Sequence, residues 1–299
     1  MKKSFCFLLA AAFVIFVVSL LHSQVHAATY QLTDNSYLDW SPQINDSGYV
    51  VWEENDGNDF EIFLYNGTDT IQLTDNNYDD RSPQINDSGY VVWYGHDGTD
   101  YEIFLYNSTT VTQLTNNSYH DMSPQINDSG YVVWHGAYND SDHEIFLYNG
   151  AITTRLTDNS YSEYYPQINN DGYVVWYGQV NDPYSEIFLY NGTTTIQLTD
   201  NDYNDTDPQI NDDGYVVWFE GIEGDTDFEI FLYNGTDTIQ LTDNDYDDWG
   251  NPQINDYGYV VWAGGDSKSE DIFLYEPDSE DEDDKGCFIS TACGLRMAR

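Results

Sequence analysis

PQINDSGYVVW, residues 42–52, is the stretch that decides the fold. It returns with small changes at 83–93, 124–134, 166–176, 208–218 and 252–262. Its tryptophan falls at Trp52, Trp93, Trp134, Trp176, Trp218 and Trp262, with spacings of 41, 41, 42, 42 and 44 residues. A fixed period of this length marks one supersecondary unit copied along the chain, because a single unit cannot bury its own apolar face. Working outward, each copy supplies four short β segments. PQIN comes first, then a turn ending in Gly48, Gly89, Gly130, Gly172, Gly214 or Gly258, then GYVVW. The third segment is EIFLY, at Glu61–Tyr65, Glu102–Tyr106, Glu144–Tyr148, Glu186–Tyr190 and Glu229–Tyr233, with Asp271–Tyr275 as the sixth. Asn-Gly hairpin signals follow at Asn66, Asn149, Asn191 and Asn234, and the fourth segment ends in Gln-Leu-Thr. β-branched and aromatic residues dominate, and no run has a helical period.

The second and third segments are apolar at nearly every position, so both faces of each sheet are expected to be buried. Four-stranded blades stacked around an axis satisfy that demand. A solenoid would need polar caps, and none is evident. Six copies of the first three segments are present, but only five fourth segments follow them. The sixth is expected from Thr29-Tyr30-Gln31-Leu32-Thr33. The expected fold is therefore all-β: a six-bladed β-propeller over residues 28–276 with four-stranded blades, closed by the N-terminal strand joining the last blade.

The pattern L-T-D-N…P-Q-I-N-D-x-G-Y-V-V-W…E-I-F-L-Y resembles the TolB-type propeller repeat, from Tyr30 to Tyr275. The resemblance implies the fold far more strongly than a function, because such propellers serve as envelope partners, surface modules and enzyme domains.

The two ends imply export. Residues 1–27 read as a signal peptide: Lys2 and Lys3, an apolar run from Phe5 to Leu21, and a small-residue cleavage site at Val25-His26-Ala27. Residues 277–286 form an acidic linker, and 287–299 contain CFISTACG. That segment resembles the C-F-I-x-T-A-A-Y-G box near the C-termini of some exported bacterial proteins. Here Cys293 replaces an Ala and the Tyr is missing. Cys287 and Cys293 could form a disulfide, or Cys287 could tether the chain. A C-terminal anchor of that kind would be its contact with a membrane. The repeats themselves hold no cysteine. The expected location is the cell surface, the extracellular space or the periplasm.

Fifty-three acidic residues against eight basic ones give a net charge of −45. Such a surface repels nucleic acid and favours cations or a basic partner. It equally suits a saline medium that screens self-repulsion. The carboxylates concentrate in two loop sets that share one end of each blade. The link between blades reads T-D-N-x-Y-x-D and offers Asp34, Asp39, Asp75, Asp79, Asp200, Asp205, Asp243 and Asp247. The loop between the second and third segments adds Asp56, Asp59, Asp97, Asp100 and others. Calcium takes six to eight oxygen ligands and is the cofactor such an array could hold. Asp and Asn also cap turns through their own backbone.

A function that needs one site should break the repeat. His120, His135 and His143 fall in blades two and three, beside His96, and could ligate a transition metal. No His-x-His or HExxH spacing is present. Trp40 and Trp249 replace smaller residues before blades one and six and could stack on a sugar or anchor a protein. Gln43 and Asn45, with their copies, lie on the innermost segment and could line a channel. No nucleophile signature is found. The reading is an exported, non-enzymatic propeller that binds a protein or glycan at the cell surface. A propeller-fold lyase or hydrolase and a purely structural envelope protein are the alternatives.

Overall fold

The computed structural model describes residues 29–138, 142–181, 184–221, 228–244, 247–266 and 269–277. The expected signal peptide, nearly all of the acidic linker and the segment with Cys287 and Cys293 lie outside the described residues. The chain divides into a unit ending at Asn35 and a unit beginning at Ser36. In the first, residues 29–35 form no strand, and the Gln31 side chain donates to the Thr33 carbonyl at 2.7 Å.

The second unit is a run of antiparallel meanders. Blade one contains β1 (Asp39–Ile44), β2 (Val50–Asn55), β3 (Phe60–Tyr65) and β4 (Thr70–Gln72). Blade two contains β5 (Asp80–Ile85), β6 (Val91–His96), β7 (Tyr101–Tyr106) and β8 (Val111–Gln113). Blade three contains β9 (Asp121–Ile126), β10 (Val132–Tyr138), β11 (Asp142–Tyr148) and β12 (Thr153–Arg155). Blade four contains β13 (Glu163–Ile168), β14 (Val174–Asn181), β15 (Tyr184–Tyr190) and β16 (Thr195–Gln197). Blade five contains β17 (Asn204–Ile210), β18 (Val216–Gly221), β19 (Phe228–Tyr233) and β20 (Thr238–Gln240). Blade six contains β21 (Asp247–Ile254), β22 (Val260–Asp266) and β23 (Ser269–Tyr275). No helix among the described residues is long and apolar enough to cross a membrane.

Each blade is set locally by its first turn. The Asn45 side-chain oxygen accepts from the backbone N–H groups of Ser47 and Tyr49, and Gly48 takes φ 76° to close the turn. The inner strand carries a bulge just before its proline. Ser41, Ser82, Ser123, Tyr165 and Asp207 all adopt left-handed φ near 50° there, and the register with the second strand slips. Proline then sits on an edge strand, where a missing donor costs no ladder bond.

Packing follows the period. Val51, Ile62 and Leu64 of blade one meet Val91 and Trp93 of blade two, and the same set recurs at four further interfaces. A second seam joins the inner strands. Asn45 Nδ2 donates to the Asn86 carbonyl at 2.9 Å, and the bond repeats from Asn86, Asn127, Asn169 and Asn211 to the next blade.

One expectation is overturned. The N-terminal strand does not close the ring: among the described residues blade six has three strands, and residues 29–35 form none. Its apolar face shows the consequence. Ile272 is 75% exposed, while Ile62, Ile103, Ile145, Ile187 and Ile230, at the same place in the repeat, are fully buried. Leu274 and, on blade one, Ile44 are exposed as well. The physical reason is entropic. β4 and its copies are three residues long and are tied to the third strand by a tight hairpin. Residues 30–33 would have to reach β23 from the far end of the chain, at a much larger loop-closure cost, for the same few hydrogen bonds.

Candidate functional site

Beneath the acidic loops lies a buried carboxyl pair, repeated between successive blades. The glutamate that opens the third strand meets the first acidic residue of the next blade. Between blades two and three these are Glu102 and Asp121, both essentially buried. The Asn117 backbone N–H donates to Glu102 Oε1 at 2.7 Å, and the Asn117 side chain donates to Asp121 Oδ2 at 2.6 Å. The Trp134 indole donates to Asp121 Oδ1 at 3.0 Å. The tryptophan bond recurs as Trp93–Asp80, Trp218–Asp205 and Trp262–Asp248. Burial, opposed by these donors, pushes Asp80 and Asp121 up to about 7 and Asp205 and Glu163 up to about 8. The neighbouring carboxyl adds to the rise in each.

This seam separates the expected metal ligands. Asp205 is fully buried on Trp218, while Asp200 is exposed. Asp79 and Asp247 stand one residue before Asp80 and Asp248, which take the buried place. Asp79 instead accepts from the Phe60 backbone N–H at 3.1 Å and from Arg81 at 3.2 Å. Asp39 and Asp247 are half-buried, and Asp243 is exposed. Asp34 is exposed in the first unit. Asp75 joins a group the spacing did not single out: Asp56, Glu61 and Asp75 bring carboxylate oxygens within 4.8 Å of one another. Asp97, Asp100 and Glu102 do the same in blade two.

The histidines separate into two places. His120 Nδ1 accepts from the Tyr101 backbone N–H at 3.1 Å, and its ring lies 5.4 Å from that of Tyr101. His135 is buried, 5.5 Å from His143 between ring centroids, among Tyr164 and Tyr165. Burial and then the neighbouring His143 lower His135 to about 3, so it stays neutral. Among the described residues, no histidine joins a group of three close carboxylate, thiolate or imidazole ligands.

Trp40 is 49% exposed and stacks on Phe60 at 5.3 Å. Trp249 lies in β21, and its side chain is outside the described residues. Gln43 is exposed and Asn45 is buried in the inner ladder. The copies Gln167 and Gln209 line a cavity of about 310 Å³ with Tyr165, Asp207, Pro208 and Asn251. A second cavity, of about 280 Å³, opens at the other end of the inner strands. It is ringed by Asp46, Asp87, Asp128, Asn170, Asp212 and Asp256. Each of these through Asp212 donates its backbone N–H to the next side chain. The recurring Asp or Asn after PQIN was the available signal for this ring.

Six successive meanders, five shared cores and an axial ladder define a β-propeller-like fold. Solved structures with TM-scores near 0.6 agree on that point. The propeller domain of the Trilobed protease from Pyrococcus furiosus is 12% identical, with 81% of this chain and 79% of that one covered and a TM-score of 0.59. A puromycin-hydrolyzing peptidase from Mycobacterium tuberculosis is 12% identical, with coverage of 82% and 45% and a TM-score of 0.60. TolB from Acinetobacter baumannii is 14% identical, with coverage of 75% and 56% and a TM-score of 0.48. The chain thus spans about half the length of the last two proteins. No family model and no curated protein sequence matches the chain.

Proposed function

We propose that the chain is an exported, non-catalytic propeller acting as a binding module at the cell surface, with a basic protein surface as its partner. The observation that carries this reading is the one-sided charge of its loop end. Arg81 and Arg155 are the only lysines or arginines among the described residues, and both are engaged by carboxylates. Asp75, Asp200 and Asp243 are exposed. Such a field speeds encounter with a positive surface and weakens as salt rises. Calcium on this face fits the same reading.

The test is proximity cross-linking of the full chain on intact cells. A surface protein captured by the wild type, and lost both in high salt and in the Asp75→Asn/Asp200→Asn/Asp243→Asn variant, supports the reading. Capture that ignores both changes sinks it. A glycan partner is the second reading, favoured by the Tyr165 cavity. Its half-exposed ring, one carboxylate and three amides suit a polyhydroxyl ligand.

A further inference from the structure

Blades one and two share a loop that the other blades lack: Asp56-Gly-Asn-Asp-Phe-Glu61 and Asp97-Gly-Thr-Asp-Tyr-Glu102, a D-G-x-D-x-E spacing. Gly57 and Gly98 take φ of 106° and 107°, which turns the chain sharply and brings the acidic residues back together. In each case the last glutamate is fully buried. Its Oε1 accepts from the backbone N–H of Asn76 or Asn117. Its Oε2 has no hydrogen-bond partner among the described residues. In blade one, Asp59 Oδ1 is also buried without a partner. A buried, unpartnered carboxylate oxygen beside two further carboxylates is costly unless a proton or a cation accompanies it.

From this geometry we infer two divalent-cation sites of calcium type, one on Asp56, Glu61 and Asp75 and one on Asp97, Asp100 and Glu102. All the side-chain donors are hard oxygens: Glu61 and Glu102 come from β3 and β7, the others from the adjoining loops, where Asp75 and Asp97 face water. That suits the larger, less demanding ion better than magnesium. Glu144 and Glu186 hold the same buried place and also leave Oε2 unpartnered, but among the described residues no group of three close carboxylates surrounds them. They are internal controls for the simpler explanation, a proton shared with the next blade's acid.

The experiment is calcium titration of the full chain by calorimetry in high sodium chloride, which suppresses a loose counterion atmosphere. It is paired with terbium luminescence sensitised by Tyr78 and Tyr101, which lie at the blade-two loop. Two ions per chain are expected. Glu61→Gln and Glu102→Gln should each remove one, and Glu186→Gln should remove none. Asp75→Asn and Asp97→Asn, at exposed positions, repeat the subtraction if a buried substitution disturbs folding. Terbium emission should fall in part with each set of variants, because Tyr37 lies against the blade-one loop as Tyr78 does against the blade-two loop. Stoichiometry unchanged by these substitutions, or binding that salt abolishes, overturns the assignment. Neither outcome depends on a protein partner, so this inference and the docking reading fail separately.

Discussion

Trp134 donates its indole N–H to Asp121 Oδ1 at 3.0 Å, and Asp121 thereby reports the protonation of a whole blade interface. Both groups are buried, and the acid faces Glu102, Asn117 and Thr115 as well. Asp80 and Asp205 repeat the arrangement, Glu163 holds the same place without the indole bond, and all three are held well above the usual carboxylate range. The folded chain binds these protons more tightly than the unfolded chain. Their contribution is complete below the ordinary carboxylate range and is lost as pH rises through about 7 to 8. The melting temperature should therefore fall steadily from mildly acidic to mildly alkaline pH. Glu186→Gln removes one charge beside Asp205 and should raise stability on the alkaline side by about 1–2 kcal/mol, flattening the profile. A melt series that rises toward pH 8 contradicts this account.

Gly136 leaves room for the same acid. A Cβ there would lie 2.0 Å from Asp121 Oδ1, so Gly136→Ala must displace the acceptor of Trp134. In blade four the neighbours of Gly178 stand 3.1 to 3.3 Å away. Gly136→Ala should cost about 3 kcal/mol or more, and Gly178→Ala about 1 kcal/mol. Denaturant unfolding of the two variants distinguishes them, and equal losses would remove the steric argument.

Blade four lacks the tryptophan bond because Glu163 stands where the other blades have Asp. Its longer side chain takes bonds from Asn159 and Thr157 and leaves Trp176 Nε1 without a partner. Glu163→Asp should supply the acceptor and stabilise the fold by about 1 kcal/mol. The emission of Trp176 should change with it. A neutral or destabilising result would mean that the contacts of Glu163 outweigh the indole bond.

The repeat, the strand types and the hairpin turns were legible in the sequence, because period, residue type and Asn-Gly each act locally. Gly48 and its copies showed their turn in the same way. What was not legible depends on the next blade. Asp75 and Asp80 look alike in the sequence, yet one is exposed and the other sits under Trp93. Glu61 reads as the edge of a strand, and only the loop folding back over it makes it a candidate ligand. Ring closure failed as an expectation because the count of strands carries no information about the entropy of bringing the chain ends together.

Tyr165 is the residue whose conformation and chemistry disagree. It occupies the left-handed bulge position at φ 49°, where three blades place Ser, and it remains 50% exposed. A bulky ring in that region costs about 1–2 kcal/mol. Asn tolerates the same backbone, so Tyr165→Asn should leave stability unchanged within about 0.5 kcal/mol. The lost ring contacts with Tyr177 and His135 would offset the relief of strain. The same change removes the aromatic floor of the cavity that Gln167, Asp207 and Gln209 line. If the cavity receives a sugar, a glycan array should show binding by the wild type and at least tenfold weaker binding by the variant, a loss of about 1.4 kcal/mol. Equal binding by both would place the glycan elsewhere, and a large loss of stability would make Tyr165 a packing residue rather than a platform.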